Sequence, residues 1–178
     1  SYGGGLKTKF SVVRYGNVMG SRGSVIPFFL SIYKDGVLPI TDYKMTRFMI
    51  SLQEGVELVW DAFNNMVGGE IFVKKSPSMK VTDIALAIDN KAKHEEVGIR
   101  PGEKLHEQMI GSEDADHTYE YKGHYKILPA IHDWALDPAR INDGIKVPEG
   151  FVYSSDKNTE WMTTEKFRKW LKQYTSNN

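Results

Sequence analysis

Cysteine is absent from the sequence, and its absence excludes several kinds of site. No disulfide can form, and no thiolate can bind a metal or act as a nucleophile. The five histidines do not fall at the H-x-x-x-H spacing of a helical zinc site. The G-x-S-x-G elbow and the P-loop motif are also missing. We therefore predict no metal site, and a cysteine-free chain fits the reducing cytoplasm.

An excess of charge of either sign is also lacking. The 23 basic and 23 acidic residues give a formal net charge of zero, whereas chains that bind nucleic acid usually carry a basic excess. No apolar run approaches the ~20 residues of a membrane helix. The longest candidate, VIPFFLSIY, contains Pro27 and stops at Lys34. We predict neither a nucleic-acid partner nor a membrane partner. A net charge of zero is still compatible with local anion-binding pockets.

The residues that are present indicate a globular chain. Its 178 residues are 40% hydrophobic and 26% charged, a balance typical of folded domains. The sequence opens on SYGGGLKTK, without an initiator methionine or a hydrophobic signal core, and reaches a β-rich segment by Phe10. We expect it to be a piece of a longer protein rather than a small complete domain.

Strand and helix patterns alternate along the chain, which predicts an α/β fold. The expected strands are residues 9–15, 70–75 and 95–99, and residues 114–128 form a strand pair or a loop. Helices are expected at 25–36, 81–91 and 163–174, and residues 100–110 should turn helical after Pro101-Gly102.

The clearest helix pattern begins at Ser51. Ser51 and Glu54 have the spacing of a capping box, and Gly68-Gly69 ends the pattern. Its apolar residues recur at 4-3-4-3 spacing, as on a helix face that packs against a core: Leu52, Val56, Val59, Phe63 and Met66.

The loop RYGNVMGSRGS follows the first predicted strand. Ligands of open α/β sheets bind where strands end, and glycines let the backbone approach them. Ser21, Arg22 and Ser24 could bind phosphate or ribose, and Ser24 could also cap the next helix. The alternative is a β-to-α connection that needs glycines only for its turns.

Two further segments carry candidate ligand-binding side chains. TDYKMTRF places Arg47 just before a capped helix, which suits an anion site, unless Arg47 simply pairs with an acid. IRPGEKLHE holds Arg100 and Glu103 at one turn, where arginine could bind phosphate and glutamate a ribose hydroxyl. The alternative there is a local Arg100–Glu103 surface pair.

Four motifs in series carry a family resemblance: RYGNVMGSRGSVIPFF, PITDYKMTRF, GGEIFVKKSPSMKVTDIA and GIRPGEKLHEQMI. Together they resemble the C-terminal half of the inverting UDP-N-acetylglucosamine 4,6-dehydratases, extended short-chain dehydrogenase/reductase enzymes of the polysaccharide biosynthesis protein family that begin pseudaminic acid synthesis. The resemblance implies the C-terminal part of a Rossmann-type NAD(P)-binding fold plus a small α/β substrate-binding domain. Residues 1–24 and 50–75 would belong to the cofactor domain and residues 25–49 and 76–178 to the substrate domain, with the N-terminal half missing.

The resemblance also implies a reaction and its ligands. Such enzymes bind NADP and UDP-N-acetylglucosamine, oxidise C4, eliminate water across C5 and C6, reduce C6 and invert C5. The product resembles a UDP-4-keto-6-deoxy-L-hexosamine. A keto group at C4 acidifies the C5 proton, so oxidation must precede elimination. The family further implies a cytoplasmic homo-oligomer.

Site residues follow from matching the motifs position by position. Asn17, Val25 and Thr41 match substrate contacts, Arg100 and Glu103 match residues that hold the UDP portion, and Arg47 suits a phosphate by its chemistry. The expected cofactor-binding residues are Tyr15, Val18, Met19, Gly20, Ser21 and Arg22. The family's catalytic Tyr-x-x-x-Lys pair lies before the matched region. Tyr153 and Lys157 have that spacing but lie in the wrong strand context, so the chain contains no expected catalytic residue.

Two competing interpretations stay open: a retaining or capsule-type UDP-sugar 4,6-dehydratase, and a non-catalytic sugar-nucleotide-binding module. The segment KKSPSMKVTD favours the pseudaminic acid branch. We expect this chain alone neither to oxidise nor to dehydrate a sugar nucleotide.

Overall fold

The computed structural model describes residues 7–130 and 137–176. Its strands and helices follow one another in this order: β1 (Val12–Arg14), β2 (Asn17–Val18), α1 (Val25–Ile32), β3 (Val37–Ile40), β4 (Thr46–Ile50), α2 (Leu52–Asn65), β5 (Ile71–Lys74), β6 (Ser78–Lys80), α3 (Val81–Ile88), β7 (Lys93–Glu96), β8 (Gln108–Ile110), β9 (Thr118–Glu120), β10 (His124–Ile127), α4 (Pro138–Ile141), β11 (Ile145–Lys146), β12 (Tyr153–Ser154) and α5 (Thr164–Ser176). Short 3-10 helices cover Tyr33–Asp35 and Ser112–His117. In the described part of the chain, no helix is long and apolar enough to cross a membrane.

The chain divides into two compact units, each built from three separate segments. The first unit comprises Ser1–Tyr15, Leu52–Lys75 and Gln108–Tyr153. The second unit comprises Gly16–Ser51, Ser76–Glu107 and Ser154–Asn178.

The first unit is built on a five-stranded sheet in the order β1-β5-β10-β9-β11. Strands β1 and β5 run parallel, with Val12 opposite Ile71, and the other neighbours are antiparallel. Helix α2 packs on this sheet through Leu58 and Ala62, which contact the fully buried Phe72. Residues 114–128, predicted as a strand pair or a loop, contain the antiparallel pair of β9 and β10.

The second unit contains two parallel strand pairs, β2 with β4 and β3 with β7. Strand β4 also pairs antiparallel with β6. Helices α1, α3 and α5 cover a core in which Phe29, Ile84 and Phe167 are fully buried. Parallel strands combined with covering helices confirm the predicted α/β class.

Four of the five predicted helices are confirmed, among them α2 after Ser51, and the fifth is wrong. Helices α1, α3 and α5 lie where the patterns placed them, and Gly36 follows α1 with φ +75°. Residues 100–110 instead make a turn at Pro101-Gly102 and then form strand β8. The reason is a tertiary contact: the carbonyl of Leu105 accepts a hydrogen bond from the Thr46 N–H (3.2 Å). In a local helix this carbonyl would instead accept from the helix's own backbone.

The predicted apolar stripe of α2 does not face the core of the first unit. Leu52 (69% exposed), Val56 (47%), Val59 (46%) and Phe63 (62%) lie on the outside, and only Met66 packs against the cluster around Phe72. The buried face consists of Gly55, Leu58 and Ala62. Helix α2 is apolar on two sides. The 4-3-4-3 spacing therefore predicted an apolar face correctly but did not indicate which face packs against the core.

The chain passes between the two units at 75/76, where a domain boundary was predicted, and at 51/52, two residues after the predicted boundary at 49/50. The predicted boundary at 24/25 lies nine residues after the observed one at 15/16. Residues 108–153 group with the first unit rather than with the second, because β10 hydrogen-bonds to β5. The assignment of cofactor and substrate roles to these units stays a prediction.

Candidate functional site

A cavity of about 600 Å³ lies in the second unit, a volume typical of a small-molecule site. Its lining includes all six predicted substrate-binding residues: Asn17, Val25, Thr41, Arg47, Arg100 and Glu103. Apolar side chains complete the wall, among them Phe28, Met45 and Val97. The fold thus brings together residues from three separate sequence motifs, while their roles stay a prediction.

The approach of β2 to β4 places Asn17 at this cavity. Gly16 precedes Asn17, and a Cβ atom at Gly16 would overlap the side chain and backbone of Phe48. Glycine is therefore required for β2 to lie this close to β4. After the loop, the Ser24 hydroxyl donates to the carbonyl of Ser21 (2.6 Å) and makes no capping bond to α1, so the predicted capping role is wrong.

Arg47 reaches the cavity from β4 but is already held by protein groups. Its Nη1 donates to the carbonyls of Thr46 (2.8 Å) and Leu105 (3.1 Å). Its Nη2 lies 3.8 Å from Glu103 Oε1, and its Nε lies 3.6 Å from Glu107 Oε1. With only 11% of its side chain exposed, Arg47 more closely fits the acid-paired alternative than a free phosphate ligand.

Arg100 and Glu103 occupy the turn that the Pro101-Gly102 pair predicts. The Glu103 N–H donates to the Arg100 carbonyl (3.0 Å), and Gly102 has φ +83°. Glu103 pairs with Arg47, and within residues 7–130 and 137–176 the Arg100 guanidinium has no ion-pair or hydrogen-bond partner. Arg100 is therefore a cavity cation that an anionic ligand can neutralise.

Glu107 belongs to the same polar cluster and was not predicted from the sequence. Its two carboxylate oxygens lie 3.0 and 3.1 Å from the amide nitrogen of Asn17, in the amide orientation that satisfies both side chains. Burial raises the pKa of Glu107, although the charges of Arg47 and Lys104 act in the opposite direction. The only sequence signal was its position four residues after Glu103 in the IRPGEKLHE motif.

The predicted cofactor-binding residues are not part of the cavity lining. In the second unit, Met19 packs in the core, and the Tyr174 ring covers Gly20, whose carbonyl accepts a bond from the Tyr174 hydroxyl (3.2 Å). Val18 is half-buried, whereas Ser21 and Arg22 are exposed. Tyr15 belongs to the first unit and is also exposed.

Two further observations on the described residues concern possible metal ligands and Tyr153. None of their His, Asp and Glu side chains form a group of three or more that could hold a metal ion. Tyr153, the first residue of the rejected Tyr-x-x-x-Lys pair, is buried, and its ring packs 5.1 Å from the ring of Tyr125.

Comparison with known proteins identifies the relatives of this chain. Residues 2–129 match the family described as polysaccharide biosynthesis protein. The chain is 50% identical over 168 residues to the inverting UDP-N-acetylglucosamine 4,6-dehydratase of Campylobacter jejuni subsp. jejuni serotype O:2, covering 90% of this chain and 50% of that protein. It is 44% identical over 170 residues to the UDP-glucose 4-epimerase of Rickettsia akari, covering 93% of this chain and 50% of that protein.

Among solved structures, Pen from Bacillus thuringiensis is similar over 98% of this chain and 53% of its own, with a TM-score of 0.82 and 28% identity. This similarity agrees with the mixed α/β fold described above. The chain spans about half the length of the curated relatives that it matches.

Proposed function

The chain belongs to the polysaccharide biosynthesis protein family, and from this membership we propose that it is part of a sugar-nucleotide dehydratase acting on UDP-N-acetylglucosamine. The observation that carries the proposal is the cavity of the second unit, which gathers the six motif residues in one place. The 50% identity to an inverting UDP-N-acetylglucosamine 4,6-dehydratase supports the same substrate.

We assign the anionic half of the ligand to the turn that carries Arg100. Its guanidinium, which has no partner among the described residues, can donate two parallel hydrogen bonds to a phosphate. Glu103 accepts hydrogen bonds and suits the ribose hydroxyls. Arg47 then acts on Glu103 through their ion pair rather than by direct contact with phosphate.

The sugar half lies against Asn17, Thr41 and Val25 in this proposal. Thr41 and Asn17 supply polar contacts, and Val25 supplies an apolar one beside Phe28. A cavity with a few polar groups on an apolar wall orients a ligand through those groups.

A nicotinamide cofactor, NADP in our proposal, would take up and return the hydride. The side chains of Ser21 and Arg22 are exposed and fit such a ligand. Gly20 and Gly23, which flank these two residues, have left-handed backbone conformations that shape the loop. Met19 would contribute through its backbone, because its side chain lies in the core. Tyr15 and Val18 complete the proposed set.

The proposed reaction converts UDP-N-acetylglucosamine to a UDP-4-keto-6-deoxy-L-hexosamine with net loss of one water molecule and inversion at C5. In this chain the cavity residues bind and orient the sugar nucleotide, which supplies the positioning part of catalysis. The proton-transferring tyrosine and lysine belong to a segment outside this sequence, so the chain alone should be inactive. We further propose a cytoplasmic homo-oligomer.

A second candidate reaction follows from the 44% identity to a UDP-glucose 4-epimerase. Epimerisation at C4 shares the oxidation at that carbon but keeps the C6 hydroxyl. Retaining dehydratases, capsule-type dehydratases and a non-catalytic binding module are also compatible with the cavity, and product analysis distinguishes them.

The test is incubation of the whole protein with UDP-N-acetylglucosamine and, separately, with UDP-glucose, followed by NMR of the products. We expect a 4-keto-6-deoxy product from UDP-N-acetylglucosamine with the L configuration at C5. Retention at C5 would indicate the retaining branch, and UDP-galactose formed from UDP-glucose would indicate the epimerase. Tight binding without any product would indicate a binding module.

A further inference from the structure

The pairing of Asn17 with Glu107 determines which atom of the Asn17 amide is available to a ligand. An ionised carboxylate only accepts hydrogen bonds, so it favours the orientation in which the amide NH₂ faces it. In that orientation Nδ2 lies 3.0 and 3.1 Å from the two Glu107 oxygens. Because Asn17 lines the cavity, its amide oxygen is the side-chain atom left for the ligand.

Glu107 is itself held in place by a buried serine. The Glu107 N–H donates to the Ser155 hydroxyl (2.9 Å), and the Glu107 carbonyl accepts from the Ser155 N–H (2.8 Å). Ser155 is fully buried, and its hydroxyl also lies 2.7 Å from the Thr46 hydroxyl. Two backbone bonds to a buried neighbour leave the Glu107 backbone little freedom, so the point from which its side chain starts is fixed.

Arg47 also lies beside the Glu107 carboxylate. Its Nε lies 3.6 Å from Glu107 Oε1, and its guanidinium is fixed by the carbonyls of Thr46 and Leu105. Burial raises the pKa of Glu107, and the fixed cation opposes that effect, so it favours the ionised form that can only accept from Asn17.

We propose that Glu107 is a positioning residue that orients the Asn17 amide, so that an oxygen acceptor faces the cavity and selects a ligand whose sugar carries a hydrogen-bond donor. The donor is a sugar hydroxyl or the N–H of an acetamido group. This inference rests on the proposed function, because the sugar nucleotide is the ligand that supplies the donor.

The experiment compares the affinities of UDP-N-acetylglucosamine, UDP-glucose and UDP for the whole protein by calorimetry. In Glu107→Gln, the new amide can donate to Asn17 and turn the Asn17 NH₂ toward the cavity. We expect the affinity for UDP-N-acetylglucosamine to fall roughly tenfold, the factor for one hydrogen bond, while the affinity for UDP stays within about twofold. Thermal unfolding verifies that the variant is folded.

A reciprocal exchange separates positioning from a structural role. Asn17→Asp alone places two carboxylates face to face and should weaken sugar-nucleotide binding more than Glu107→Gln does. The double variant Asn17→Asp/Glu107→Gln again has a donor facing an acceptor, with an oxygen toward the cavity. We expect it to recover selectivity for the sugar nucleotide over UDP to within about threefold, so that the two substitutions are not additive. Glu165→Gln, on the exposed first turn of α5, is the matched control and should change neither affinity.

The ligand selectivity of these variants separates the outcomes. If Glu107→Gln weakens UDP-N-acetylglucosamine and UDP-glucose equally, the donor is a hydroxyl, and if it weakens only the former, the donor is the acetamido N–H; both results support the inference. Unchanged selectivity in Glu107→Gln, or an additive double variant, would overturn it while leaving the proposed function intact. Failure of the wild-type protein to bind UDP or UDP-N-acetylglucosamine would overturn the proposed function and the inference together.

Discussion

Each unit contains a cluster of interacting charges at its buried polar groups, and the two clusters differ in how completely the protein satisfies them. In the first unit, Glu70 is fully buried and accepts hydrogen bonds from the Ser11 hydroxyl (2.9 Å) and from the N–H groups of Val67 (2.8 Å) and Gly68 (2.7 Å). Arg140 Nη1 lies 3.4 Å from the same carboxylate. Glu70 is therefore a structural charge that ties three segments together.

The cations around Glu70 are equally engaged. Arg140 also pairs with Asp137 (3.3 Å), and its carbonyl accepts from Lys126 Nζ (2.9 Å). Lys126 in turn lies 4.8 Å from the ring centre of Tyr121. Burial lowers the pKa of Lys126, and the nearby Glu70 carboxylate acts in the opposite direction.

The cluster in the second unit is satisfied only in part. Arg47 resembles Arg140, because protein carbonyls and carboxylates surround it. Arg100 lines the same cavity without an ion pair among the described residues. An arginine beside a cavity is therefore a ligand candidate only when its donors are free, a property that the sequence motif does not reveal.

The largest effect should come from the fully satisfied cluster. Glu70→Ala would leave two partly buried N–H groups without their acceptor and Arg140 without its buried partner. We expect a loss of about 3–5 kcal/mol in the free energy of unfolding, measured by urea denaturation of the whole protein. A loss below about 1 kcal/mol would show that the cluster is not structural.

Arg47→Ala should produce the next largest loss of stability. The substitution removes the donor to two carbonyls and leaves Glu103 and Glu107 as neighbouring uncompensated carboxylates. Hydrogen bonds to charged groups contribute about 1.5–3 kcal/mol, and we expect a loss of that order in urea denaturation. A variant as stable as wild type would contradict the grouping of Arg47 with Arg140.

Gly16→Ala tests the close approach of β2 to β4. The added methyl group would overlap Phe48, and overpacking of this kind costs about 1–3 kcal/mol. Gly123→Ala is the matched control, since a Cβ there meets no atom within 4 Å. Equal thermal unfolding of the two variants would show that β2 can move away without cost.

The smallest effect should come from the Lys75–Glu120 pair of the first unit. Lys75 Nζ lies 2.6 Å from Glu120 Oε1, yet 48% of the Glu120 side chain is exposed. Glu120→Ala should therefore change the unfolding free energy by less than about 1 kcal/mol. A change as large as that of Glu70→Ala would show that burial does not explain the difference between these two charge interactions.

The outcomes for α2, residues 100–110 and Glu107 show where prediction from the sequence ends. Periodicity and glycine placement located α1, α3 and α5, because those signals are local. The partner of an apolar face is not local, and α2 therefore buries Leu58 and Ala62 rather than the predicted stripe. The helix predicted at residues 100–110 failed for a similar reason, since their backbone pairs with distant segments.

The candidate site shows the same difference between local signals, which the sequence reveals, and non-local contacts, which it does not. Motif resemblance selected five residues and side-chain chemistry added Arg47, and all six line one cavity. Neither signal could distinguish the enclosed Arg47 from Arg100, whose guanidinium has no partner among the described residues. The position of Glu107 in the IRPGEKLHE motif did not reveal its role, because its partner Asn17 is distant in sequence and is brought to it only by the fold.

The most direct test of the central claim is the affinity of the whole protein for UDP-N-acetylglucosamine with and without Arg100. Because the Arg100 guanidinium has no partner among the described residues, Arg100→Ala should leave thermal stability within about 0.5 kcal/mol of wild type. Loss of a charged hydrogen bond to phosphate should weaken binding by roughly 10- to 100-fold. Unchanged affinity in a folded Arg100→Ala variant would contradict the assignment of the cavity to a sugar nucleotide held by this arginine.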